Sequence, residues 1–164
     1  MTDKTPKVSR RDILSIGAAA GLGAGLASLE PSPARAQTMP QTEVAKLADL
    51  APGTALDFAY PDEDSPAILL AMGGPVEDGI GPNGNIVAFS TLCTHKGCPV
   101  GWQTDQQMLI CPCHWSTFDP AKGGRMIIGQ ASQGLPQIVL KVEGDAVMAT
   151  GVDGLIYGRQ TNVL

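Results

Sequence analysis

The chain has 164 residues, enough for one ordinary domain and little more. Hydrophobic residues make up 43% and charged residues 16%, so a packed core is feasible and the composition argues against wholesale disorder. Residues 1–36 carry five basic and three acidic side chains, and residues 37–164 carry six basic and thirteen acidic ones. An acidic domain with a short basic leader offers no row of cations to nucleic acid.

Taken in chain order, Met1–Asp12 is polar and basic, and Ile13–Leu29 is an uncharged run of Ala, Gly, Leu and Ile with two Ser. Pro-Ser-Pro and Ala34-Arg35-Ala36 follow. This is the n-region, h-region and cleavage-site layout of an export signal. Ser9-Arg10-Arg11-Asp12-Ile13-Leu14 resembles the twin-arginine signal, so residues 1–36 are expected to send a folded protein to the periplasm. A disulfide can persist in that compartment. The alternative is a retained anchor, for which the apolar run is short and diluted by glycine.

The domain is expected over 37–164. Gln37–Pro52 reads as a lead-in with one short polar–apolar stretch, and Pro52-Gly53 as a turn. Ala67–Met72 is a compact apolar run between Pro66 and Gly73-Gly74, which predicts a buried strand. Gly79–Asn85 predicts a hairpin-type loop and Ile86–Ser90 the next strand. Met108–Ile110 is short and apolar, and Gln137–Val142 with Ala146–Ala149 predicts a hairpin around Glu143-Gly144-Asp145. No convincing 3.6-residue period is present, and 20 Gly with 13 Pro punctuate the chain. A small antiparallel all-β domain is the expected fold.

All four Cys and both His lie between Cys93 and His114. The text reads Cys93-Thr94-His95-Lys96-Gly97-Cys98, then, twelve residues on, Cys111-Pro112-Cys113-His114-Trp115-Ser116. Each segment offers Cys and His at ligand spacing. Thiolates with imidazoles suit zinc or iron–sulfur chemistry and do not suit calcium or magnesium. A structural zinc site and a pair of disulfides are the plainer readings of the same six residues.

The two segments together resemble the Rieske motif, C-x-H-x-G-C followed by C-P-C-H-x-S, at every specified position. The resemblance implies an antiparallel β sandwich or barrel with a small two-loop cluster-binding part, here about residues 90–130. It implies one [2Fe–2S] cluster held by Cys93, His95, Cys111 and His114, and a Cys98–Cys113 disulfide that clamps the two loops and shields the cluster. Two neutral imidazoles in place of thiolates raise the potential into a range of roughly −150 to +300 mV. Ser116 matches a serine whose hydroxyl donates to the cluster in high-potential members. Phe118 stands where those members often carry Tyr, which implies a lower potential than theirs. Trp102 and Trp115 read as packing residues.

Beyond the motif, Phe118-Asp119, Gly129-Gln130-Ala131, Leu135-Pro136-Gln137-Ile138 and Gly154-Leu155-Ile156-Tyr157-Gly158-Arg159 resemble the small subunit of bacterial arsenite oxidase. That resemblance implies an electron-transfer subunit of an exported oxidoreductase. Its partners would be a molybdopterin-containing large subunit and a soluble acceptor such as cytochrome c, which an acidic surface can help to steer. Nothing in this chain resembles a pterin site, so it would not oxidise arsenite alone. The alternatives are the Rieske subunit of a quinol–cytochrome c oxidoreductase or another exported Rieske carrier, and, outside electron transfer, a zinc module. The tail around Leu155–Arg159 is a candidate contact for the large subunit.

Overall fold

The computed structural model describes residues 39–160, and the expected signal over 1–36 lies outside them. Among the described residues ten strands form two antiparallel sheets. They are β1 (Thr42–Lys46), β2 (Ala55–Ala59), β3 (Pro66–Ala71), β4 (Ile86–Ser90), β5 (Gly101–Gln103), β6 (Met108–Ile110), β7 (Thr117–Asp119), β8 (Arg125–Ile128), β9 (Gln137–Glu143) and β10 (Ala146–Asp153). The larger sheet runs β1-β10-β9-β4-β3-β2 and the smaller one β5-β6-β7-β8. The expected all-β architecture is the one observed. Among the described residues no helix is long and apolar enough to cross a membrane.

β3 and β4 are central because both of their faces are covered. Ile68 and Leu70 of β3 and Val87 and Phe89 of β4 enter one core, which also receives Leu109 and Phe118 from the small sheet. Ala67, Leu69, Ala71, Ile86 and Ala88 enter a second core on the opposite face, against Ile138, Val147 and Ala149. Alternate residues of one strand therefore serve different cores, and the sequence shows an unbroken apolar run where a half-exposed strand would alternate. Leu69 and Leu70 are 0% and 1% exposed. Each contributes roughly 1.5–3 kcal/mol by burial.

The small sheet is an insertion between neighbours. β4 pairs with β9 through Phe89 and Gln137, yet the chain between them builds all of β5–β8. The first core then lies between the large sheet and this insertion, so the insertion is anchored by apolar packing as well as by its two connections.

The strands expected at Ala67–Met72, Ile86–Ser90 and Met108–Ile110 are present. So is the hairpin of β9 and β10, although β10 continues to Asp153 because an irregularity between Ala149 and Gly151 keeps the pairing going. β1 lies in the lead-in that read as an entry segment with one short polar–apolar stretch, followed by a 3-10 turn over Leu47–Asp49. β2, β5, β7 and β8 carried no expectation. Three of them are only three or four residues long, and β2 is a largely exposed strand held by its pairing to β3.

Candidate metal centre

Two loops at one end of the inserted sheet share a backbone frame. The Cys93 amide donates to the Cys98 carbonyl (2.9 Å) and the Gly97 amide to the Cys93 carbonyl (2.7 Å). In the second loop the Cys111 amide donates to Ser116 (2.9 Å) and the Trp115 amide to Cys111 (3.0 Å). Each loop turns back at a left-handed residue, Gly97 at φ 71° and Trp115 at φ 59°. Each therefore places a cysteine at its buried start and projects a histidine from its bend.

These loops bring the six Cys and His together. Cys98 and Cys113 are joined as a disulfide with Cα atoms 6.6 Å apart, which ties the loops across their tips. The implied pairing is the observed one. Cys93 and Cys111 are free thiols, each 1% exposed. The His95 and His114 rings meet edge to face with centroids 4.7 Å apart. Nδ1 of His95 is buried and has no hydrogen-bond partner, whereas His114 is exposed.

The electrostatics fit a bound cation. Burial pushes the Cys93 thiol up, and the adjacent Cys111 pushes it further. The His95 amide and the Ser116 hydroxyl act the other way. A buried Cys93 thiol of this kind resists ionisation until positive charge arrives beside it. The buried His95 Nδ1, which has no hydrogen-bond partner, is a donor that such a cation could use. Cys98 and Cys111 also lie close to Cys113, with all three sulfurs within 4.8 Å, but the disulfide leaves only Cys111 of these able to ligate.

Ser116 is fully buried, and its Oγ accepts from the amides of Gln130 and Ala131, both at 3.0 Å. Its own proton is left to donate towards the Cys93 sulfur. This arrangement requires Gly129, whose φ is 120°: a Cβ there would stand 2.3 Å from Cα of Ser116 and 2.8 Å from its Oγ. The segment Gly129-Gln130-Ala131 is thus a third loop that seats the serine. No local pattern announces that role, and only the family resemblance had singled the tripeptide out.

Phe118 is 0% exposed and pairs across the sheet with Leu109 and Met126. Trp102 is half-buried against the first core, as a packing residue should be. Trp115 is not one. It is 71% exposed, because the left-handed turn at the loop end directs its side chain outward. With Pro99, Ile110 and Pro112 it lines a cavity of about 370 Å³ at the edge of the small sheet.

A buried thiol pair and a histidine pair, on two disulfide-tied loops of an all-β domain, define a mixed cysteine–histidine metal centre. Comparison with known proteins gives the same class. The profile of the Rieske [2Fe-2S] domain matches residues 41–139. The iodate reductase subunit IdrB of Denitromonas iodatirespirans is 41% identical, over 94% of this chain and 86% of its own. A cytochrome bc1 complex Rieske iron-sulfur subunit of Streptomyces lividans is 44% identical, but over 38% of each chain. The soluble domain of Rieske protein II (soxF) of Sulfolobus acidocaldarius superposes with a TM-score of 0.65 at 25% identity, over 74% of this chain and 82% of that one.

The chain belongs to the Rieske [2Fe-2S] domain family. Its cofactor is a Rieske [2Fe–2S] cluster, and it is an electron-transfer subunit of an oxidoreductase.

Proposed function

We propose that Cys93 and Cys111 hold one iron of the cluster, and His95 and His114 the other. The orphaned Nδ1 of His95 and the two free buried thiols carry that assignment. When bound, the cluster accepts and returns one electron. The chain's own residues keep the site dry on the cysteine side, hold the loops together through Cys98 and Cys113, and leave His114 at the surface towards a partner.

The partner proposed is a molybdopterin-containing large subunit that turns over an oxoanion, with a soluble carrier such as cytochrome c at the other end of the relay. Iodate reduction is the leading reading. The observation that supports it is the near full-length likeness to an iodate reductase subunit, set against a bc1 likeness limited to 38% of the chain. Arsenite oxidation is the second reading, favoured by the motif set from Phe118 to Arg159. The two differ in the direction of electron flow, which the same relay can carry either way. Export by residues 1–36 and a periplasmic location belong to the proposal.

Affinity purification of the native complex through this chain tests it. The expected result is a molybdenum-containing large subunit that reduces iodate with a reduced carrier. Arsenite oxidation without iodate reduction would move the assignment to the second reading. Co-purification with a cytochrome b would overturn both.

A further inference from the structure

The two cluster loops share a frame but not an environment. Over the left-handed residue of the second loop there is solvent, and Trp115 stands out into it. Over the left-handed residue of the first loop lies Tyr157. A Cβ at Gly97 would meet Cδ1 of that ring at 2.4 Å and Cε1 at 2.6 Å. Gly97 therefore satisfies two demands at once, a φ of 71° and the space that the tyrosine fills.

Tyr157 is held in place from both sides. Ile156 before it is 1% exposed. Arg159 after it donates from one guanidinium nitrogen to Oδ2 of Asp62 (2.5 Å) and to Oγ of Ser65 (2.9 Å). Ser65 in turn donates to Oδ1 of Asp62 (2.7 Å), and the Arg159 amide closes a turn on Ile156 (3.1 Å). This pairing holds the Asp62 carboxyl below its usual range, chiefly through the Arg159 hydrogen bond. On the near side, Thr94 beside His95 donates to the Gln133 carbonyl (2.8 Å). Thr94 and Gln133 line, with residues 155–159, a cavity of about 150 Å³.

We infer that Leu155–Arg159 is a strap across the Cys93–Cys98 loop, and that Tyr157 is a positioning residue for the cluster. The inference rests on the ligand assignment proposed above. Tyr157 keeps water from the Gly97 backbone and fixes the loop that presents Cys93 and His95, while Arg159 anchors the strap to the turn between β2 and β3. Reduction adds negative charge to the cluster, and water stabilises that charge. Removing the ring should therefore raise the midpoint potential and speed loss of iron.

The test uses the cluster-loaded full chain, with voltammetry and the decay of its visible absorption. Tyr157→Ala should give a higher potential and a several-fold faster decay. Tyr157→Phe should restore wild-type behaviour, since the ring and not the hydroxyl does the covering. Arg159→Gln should shift both readouts in the same direction by less, and with Tyr157→Leu it carries the test if the alanine variant loses its cluster on purification. A wild-type potential in Tyr157→Ala, or in both Arg159→Gln and Tyr157→Leu, overturns the strap even if melting temperatures fall. A wild-type chain without Rieske absorption overturns the ligand assignment, and the strap with it.

Discussion

The Ser116 hydroxyl accepts from two amides, which commits its oxygen and aims its proton at the sulfur side of the site. Ser116→Ala removes a donor that favours the reduced, more negative cluster, so the potential should fall. It also leaves the buried Ala131 amide unpaired, at about 1–3 kcal/mol. Voltammetry and thermal melting should move together in that variant. Phe118→Tyr is the converse case. If the new hydroxyl reaches the Cys93 thiolate and favours the reduced state by about 1 kcal/mol, the potential rises by ~40 mV. A lower melting temperature with an unchanged potential would show that the hydroxyl is merely buried without a partner. At this scale the sequence was legible wherever spacing carries chemistry: the six Cys and His stand out by type and interval alone. Trp115 was misread because the sign of φ, which turns it outward, leaves no trace in residue type when the residue is not glycine.

Elements were most legible where they form apolar runs or flank a turn signal. β3 and β4 are covered on both faces and announce themselves as apolar runs, whereas β5, β7 and β8 are three or four residues long, too short for an alternation to stand out. The loops that lead into β5 and β7 are cross-tied, which adds to the apolar packing of the small sheet. The Cys98–Cys113 bridge closes a separation of 15 residues, worth about 3 kcal/mol in the chain-entropy account. Cys98→Ser should lower the melting temperature accordingly and shorten cluster lifetime; unchanged values would show that the bridge adds nothing. Gly129→Ala should be costlier than a surface glycine change. Its Cβ would strike the Ser116 backbone, whereas one at Gly144 meets nothing within 4 Å. Both glycines have a positive φ, 120° and 63°, so a strain of roughly 1–3 kcal/mol is common to them, and the clash that displaces the serine sets Gly129 apart. Denaturant titration of Gly129→Ala and Gly144→Ala side by side checks the difference.

At the scale of the molecule, the chain divides its work between a sheet whose β3 and β4 are covered on both faces and an insertion between two of its neighbouring strands. The sheet supplies rigidity, and the insertion carries every candidate ligand to one end. Residue type and spacing reveal β3, β4, β6, β9, β10 and the motif, but not the pairing of β4 with β9 across the insertion, since no residue type encodes a contact between segments so far apart. Nor does the family motif choose a substrate, because a one-electron relay has no substrate pocket of its own. The proposed export is separable from all of this: Arg10→Lys with Arg11→Lys should leave the folded, cluster-bearing protein in the cytoplasm, as cell fractionation would record. Normal periplasmic recovery of that variant would remove the twin-arginine assignment.

The central claim is that one cluster is held by two cysteines and two histidines from paired loops. Pulsed EPR of the reduced wild-type protein addresses it most directly, because ligand nitrogens couple to the cluster's unpaired spin. The account predicts couplings from two histidine nitrogens, with the signal lost on replacing His95 or His114. A reduced protein that shows an iron–sulfur signal without nitrogen coupling, or that carries zinc and no signal, would contradict it.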